Sequence, residues 1–161
     1  MNPLLWAVIA VAVLVAIGKR FLGEPMNARE VFVTPLVLLG IGVYGLREIP
    51  LSAVDITWIV IGSAVGLGFG ALRGTTVRIF ERGGVLWQRY TKWTALVWVV
   101  SLAGNAGIGF LGAAMGMHPD ARPMTLSIGV GLVGEMISLG LRALSSGTPF
   151  APDPDRTTAR R

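Results

Sequence analysis

Apolar residues gather into five long runs, each bounded by charge, proline or glycine. The first covers residues 4–18 and stops at Lys19-Arg20, and the second covers 31–46, before Glu48-Ile49-Pro50. The third covers 52–72 and ends at Arg73, the fourth covers 94–115, and the fifth, 124–143, follows Pro123 and closes on Arg142. Apolar runs of this kind predict membrane-spanning helices, because lipid offers no partner to a backbone N–H or C=O and a helix satisfies them internally. At 1.5 Å per residue the first run is short for a core of about 30 Å, so its ends must reach into the interface. The intervals between runs are short, which favours antiparallel neighbours in a single bundle over residues 1–147. The polar, proline-rich end, residues 148–161, is expected to be a flexible tail. Basic residues follow the first run instead of preceding it, and no small-residue cleavage pattern ends it, so a retained helix is expected there and not a cleavable signal peptide.

One interval is patterned. Residues 76–91 read TVRIFERGGVLWQRYT, two β-prone runs around Gly83-Gly84. Paired glycines suit a type I′ turn, in which both central residues take positive φ. That register sets Arg82 against Val85, Phe80 against Trp87, Arg78 against Arg89 and Val77 against Tyr90. One face then carries Arg78, Phe80, Arg82, Trp87 and Arg89, and the other carries Val77, Ile79, Leu86, Gln88 and Tyr90. An isolated hairpin is marginal in water, so this one must lean on the bundle or the membrane surface.

Composition and charge sharpen this picture. Of 161 residues, 53% are hydrophobic and only 14% charged, which excludes an ordinary soluble globule and a disordered chain. There is no cysteine and only one histidine, which removes disulfides, thiol redox chemistry and multi-histidine metal sites; no metal or other cofactor is expected. The net charge of +5 matters less than where the cations fall. Lys19, Arg20 and Arg29 lie between runs one and two; Arg73, Arg78, Arg82, Arg89 and Lys92 lie between three and four. Arg142, Arg156, Arg160 and Arg161 lie at or after the end of run five, and only Arg47 and Arg122 fall opposite. Cytoplasmic loops collect Lys and Arg, so five spans with the N-terminus out and the C-terminus in are expected, with the hairpin in the cytoplasm. In that setting Arg73, Arg78, Arg82, Trp87, Arg89 and Lys92 are candidates for contact with anionic lipid headgroups, a nearer partner than nucleic acid.

Small residues recur at helical spacing. Gly62, Gly66, Gly70 and Gly74 line one face of run three, Gly112 and Gly116 form a similar pair, and run five repeats the spacing with Ser127 and Gly131, then Gly134 and Ser138. Such stripes let helix backbones approach closely. They predict packing within the bundle or, alternatively, a seam between copies of the chain.

The layout resembles the CcdC-like membrane proteins. The residues that carry the resemblance are an N-terminal helix ending in basic residues, the loop GKRFLGEPMNARE, the run VFVTPLVLLGIGVY, and a glycine-rich helix leading into RGTTVRIFERGGVLWQRYTKW and a Trp-containing helix. This bacterial family of roughly this size is largely of unknown function, and its namesake is linked by gene context to cytochrome c maturation. The resemblance covers most of residues 1–145 and implies an inner-membrane protein. It brings no functional residues with it, and without cysteine this chain cannot itself relay thiol electrons.

Glu135, near the middle of run five, is the candidate chemistry inside the bilayer. An ionisable group there costs at least about 2.5 kcal/mol and should face the bundle interior, a cavity or a partner. Asn105, halfway along run four, is the expected hydrogen-bond partner, and Glu135, Asn105 and Ser138 form the candidate proton-linked or cation-binding site. The alternative is a structural, protonated Glu135 that locks two helices. Asp55 is expected to start its helix. His118, with Asp120 nearby, is a weak candidate for a metal or pH role. The tryptophans suit membrane boundaries, except Trp98, which lies deeper and is expected to pack. No Walker A, G-x-S-x-G or H-E-x-x-H sequence is present. These features together favour a non-enzymatic accessory or assembly protein of the bacterial cytoplasmic membrane, acting through an unidentified membrane-protein partner. The alternative is a small proton-linked channel or transporter centred on Glu135.

Overall fold

The computed structural model describes residues 18–152. The first expected span falls almost entirely outside them; its continuation, residues 18–22, is helical. Then come β1 (Glu24–Pro25), a π-helical turn (Arg29–Val33) and helix α1 (Thr34–Tyr44). Helix α2 (Ala53–Thr76) leads into β2 (Arg78–Arg82) and β3 (Val85–Arg89). Helix α3 (Lys92–Ala114), a short 3₁₀ turn (Pro119–Ala121) and α4 (Met124–Ser145) complete the chain. Three stretches are long and apolar enough to cross a membrane: α2, α3, and α4 with the 3₁₀ turn before it. The second run is shorter. Its helix has 11 residues, continued backwards by the five of the π-turn. The turn widens where Pro35, having no N–H, cannot close an ordinary α-turn.

Helix ends follow local chemistry. Ser52 and Asp55 form a reciprocal capping box at the start of α2, as Asp55 was expected to do, and Thr91 and Thr94 form another at the start of α3. At the end of α2, Nη1 of Arg142 donates to the carbonyls of Gly74 (2.7 Å), Val77 (2.9 Å) and Thr75 (3.2 Å). A cation there suits the negative end of the helix dipole.

Helix α4 is the centre of the packing, with α1 on one side and α2 on the other. Backbones meet where glycines allow it. A methyl group on Gly70 would collide with the Gly131 carbonyl, one on Gly134 with the Leu67 carbonyl, and one on Gly74 with the Ser138 hydroxyl. Val130 packs onto Gly66 and Ser138 Oγ donates to Ala71 O at 2.8 Å, so the stripe on α2 is consumed by α4 within the chain. Gly66, Gly70 and Gly74 are thus covered within the chain. Three of the expected packing glycines serve side chains instead of backbones: Gly66 takes Val130, Gly112 makes room for Trp58 and Met117, and Gly62 for Arg122. The α1–α4 approach uses Gly42, against Leu126, and Gly129, against Leu39. Helix α3 leans on α2 alone among these partners, and a cleft separates it from α4.

The hairpin has the expected register, with Arg78 opposite Arg89, Phe80 opposite Trp87 and Arg82 opposite Val85. Gly83 (φ 63°) and Gly84 (φ 77°) make its turn. It does not stand alone, because β1 pairs antiparallel with β3 and gives the order β1-β3-β2. The tail, expected to be flexible from residue 148, is tied to this sheet through its described residues: Leu86 N–H donates to Pro149 O and Ala151 N–H to Met26 O, both at 2.9 Å. Val77, Leu86 and Tyr90 turn inward and are buried with Met26, Val31, Leu139 and Ala143, so the principal apolar core lies where the sheet meets the end of α4.

Candidate functional site

The residues that matter most chemically converge beneath the sheet. Glu135 projects from α4 and is 5% exposed; Arg73 projects from the last turn of α2 and is 4% exposed. Arg73 Nε donates to Glu135 Oε2 at 2.7 Å, and Nη2 lies 2.6 Å from the same oxygen. The other carboxylate oxygen accepts from the Tyr90 hydroxyl at 3.3 Å, and that hydroxyl accepts in turn from Arg20 Nη1 at 2.6 Å. Arg20 also meets Glu24 at 3.3 Å, which accepts from Gln88 Nε2 at 3.1 Å. The Trp98 ring covers the Arg73 guanidinium at 4.4 Å, and the Arg20 guanidinium lies 5.4 Å from the centre of the Tyr90 ring. One polar chain, Glu24–Arg20–Tyr90–Glu135–Arg73, thus ties residues 18–22, the sheet, α4 and α2 together. Burial, and after it the charge of Glu135, push the Tyr90 hydroxyl above its ordinary value of 10.0, so it stays a neutral donor.

This arrangement corrects three expectations. Arg73 is not at a lipid-facing rim: it is the buried partner of Glu135. Glu135 meets a guanidinium and a phenol in place of the expected amide. Asn105 does not reach it, because α3 leans away from α4 across the cleft and Trp98 is the α3 residue that meets the Arg73–Glu135 pair. Asn105 Nδ2 donates to Ser101 O at 3.0 Å, and its Oδ1 accepts from Arg122 Nη2 at 2.7 Å. Ser138 stands one turn beyond Glu135 and bonds backbone carbonyls, not the carboxylate. Arg73, Tyr90, Arg20 and Trp98 were the unread half of the site. An inward-facing Tyr on the hairpin and an Arg at the last turn of a glycine stripe were the available signals.

The other cationic candidates remain on the outside. Arg78, Arg82, Arg89 and Lys92 are exposed, while Phe80 and Trp87 are half-buried and pack at 6.5 Å between ring centres. Arg82 lies over Trp87 at 4.9 Å. Beside them a cavity of about 520 Å³ is bordered by Phe21, Arg78, Arg89, Tyr90, Thr91 and Lys92. At the opposite end of the bundle His118 pairs with Asp55 and not with Asp120: its N–H donates to Oδ1 and its Nδ1 lies against Oδ2, both at 2.8 Å.

The chain matches no family model, no curated protein and no solved structure.

Proposed function

We propose that the chain is a non-enzymatic multi-pass protein of the bacterial cytoplasmic membrane. Five segments cross, with the N-terminus outside and the C-terminus inside, and the protein serves as an accessory or assembly factor that holds a docking face at the cytoplasmic rim. The observation that carries this reading is the sheet itself. The Arg20–Tyr90–Glu135–Arg73 chain, buried from Tyr90 inward, fixes it to the helices, while its outer face presents Arg78, Phe80, Arg82, Trp87 and Arg89. Cations beside aromatic rings suit anionic headgroups and an acidic partner surface together. The resemblance to CcdC-like proteins supports the same role and points to cytochrome c maturation as the process served.

A proton-linked pathway centred on Glu135 has an observation against it. The carboxylate is already engaged by Arg73 and Tyr90, and a group so held serves as a fixed brace.

A photo-crosslinking side chain at Phe80 or Trp87 in intact cells tests the docking reading, with the exposed Val99 of α3 as control. A discrete protein adduct from the sheet positions and none from Val99 is the expected result; adducts from Val99 alone overturn it. Compartment-sensitive reporters fused at the two ends test the topology, which fails if both report from the same side.

A further inference from the structure

In the half of the bundle away from the sheet stands a charge that no described residue balances. Arg122 precedes α4, and its side chain turns inward between α2 and α3. Nη1 donates to the Asn105 carbonyl at 2.9 Å and Nη2 to Asn105 Oδ1 at 2.7 Å. The guanidinium lies flat on Gly62, where an added methyl would stand 3.5 Å from Nη2 and 3.6 Å from Cζ and Nε. Gly62 and Asn105 each lie nine residues inside their helices, which puts the guanidinium about 13 Å from the helix ends.

No carboxylate pairs with Arg122 among the described residues. Residues 1–17 contain no Asp or Glu, and Asp153 and Asp155 follow Ala151, which is bonded at the opposite end. Of five guanidinium N–H donors, Asn105 takes two and three remain. A cation at this depth calls for a counter-charge, and a planar fork with free donors is a receptor for an oxyanion.

Beside that fork lies the cleft between α3 and α4, about 390 Å³, within the usual range for a small-molecule site. Phe69, Trp98, Leu102, Ile128 and Leu132 make it largely apolar, and its rim is open, with Leu102 and Ile128 both exposed. Arg73 borders the other end, but Glu135 already neutralises it. The cleft therefore carries a net single positive charge on an apolar wall, complementary to a monoanion with one apolar chain. We propose that it binds a long-chain carboxylate, of the fatty-acid class, with the carboxylate on Arg122 and the chain running past Phe69 toward Trp98.

The test uses the full chain in neutral phosphatidylcholine vesicles and a stearate brominated at mid-chain, which quenches nearby tryptophan. Saturable quenching is expected, lost in Trp98→Phe because that ring is the reporter, and shifted to about tenfold or more weaker binding in Arg122→Ala. Ser127→Leu, which narrows the cleft without touching the guanidinium, should weaken binding similarly and serves if Arg122→Ala does not fold. Binding unchanged in both variants overturns the proposal. So does equal quenching by the methyl ester of the same chain, which would make the cleft merely apolar. Preferential quenching by a brominated phosphatidylglycerol assigns the anion to a phospholipid and overturns the carboxylate; quenching that never saturates means that another segment or a second copy fills the space, and overturns it as well.

Discussion

The Arg73–Glu135 pair offers the sharpest test of how the bundle is held. Both side chains are almost wholly enclosed, at 5% and 7% exposure, so deleting one charge strands the other. Breaking a buried pair on one side costs about 3–5 kcal/mol, whereas replacing both members with apolar groups of similar volume is often neutral. Arg73→Met leaves Glu135 with the Tyr90 hydroxyl alone and should fall near the top of that range. Glu135→Leu leaves the Arg73 guanidinium with only the Gly131 carbonyl at 3.4 Å and the Trp98 ring, and should cost about 3–5 kcal/mol. The double variant Arg73→Met/Glu135→Leu also forfeits the Trp98 ring contact, and should cost about 1 kcal/mol. The cycle then yields a coupling of several kcal/mol, measured by equilibrium unfolding in mixed micelles with tryptophan fluorescence as the signal. If the double variant costs the sum of the two singles, the residues do not act as a pair, and the account of the site fails.

Three further outcomes follow from the same geometry. Tyr90→Phe removes the link between Arg20 and Glu135 and should cost about 1–2 kcal/mol by the same unfolding measurement. Because the folded state raises Tyr90 above its ordinary 10.0, the stabilisation from its bound proton is complete below that pH and is lost as pH climbs through the raised value; Tyr90→Phe should flatten this alkaline decline. Gly84→Ala forces a Cβ into a left-handed conformation (φ 77°) and should cost about 1 kcal/mol, with faster hydrogen exchange confined to β2 and β3. Phe150 packs edge-on against Phe32 at 5.9 Å between ring centres, so Phe150→Ala should release the tail to proteolysis near Ala151 while leaving the helices intact.

Regular elements were legible because their signals are local. Gly83-Gly84 between β-prone runs dictated the turn, and the two-residue alternation around it sorted Leu86 and Gln88 to the buried face and Arg82 and Arg89 to the exposed one. The boundaries of α2, α3 and α4 follow apolar runs, with side-chain caps at the starts of α2 and α3. Partnerships across the chain were not legible, because hydropathy records how apolar a segment is and not which way it rotates. Asn105 and Glu135 are both mid-helix polar residues, yet the cleft keeps them apart, while Arg73, which reads as a boundary cation, turns inward to Glu135. The two residues of β1 and the bonds through Pro149 and Ala151 carry too little sequence pattern to be foreseen.

The glycines of α2 divide between contact and open space according to the face they lie on. On α2, Gly66, Gly70 and Gly74 turn to α4, whereas Gly68 has nothing within 4 Å of where a methyl would stand. Alanine at Gly68 should therefore be neutral or stabilising by about 0.5–1 kcal/mol, since it lowers the conformational entropy of the unfolded chain and clashes with nothing. Alanine at Gly70 meets the Gly131 carbonyl, a backbone atom that cannot rotate away, so α2 and α4 must move apart along their whole crossing. Overpacking of that kind costs about 1–3 kcal/mol or more. The separation would also lengthen the Arg73–Glu135 bonds, so Gly70→Ala should lose part of the coupling measured in the charge cycle, which Gly68→Ala should leave intact. Equal behaviour of the two variants would mean that the stripe faces lipid or another copy of the chain, and that α4 is not what α2 packs against.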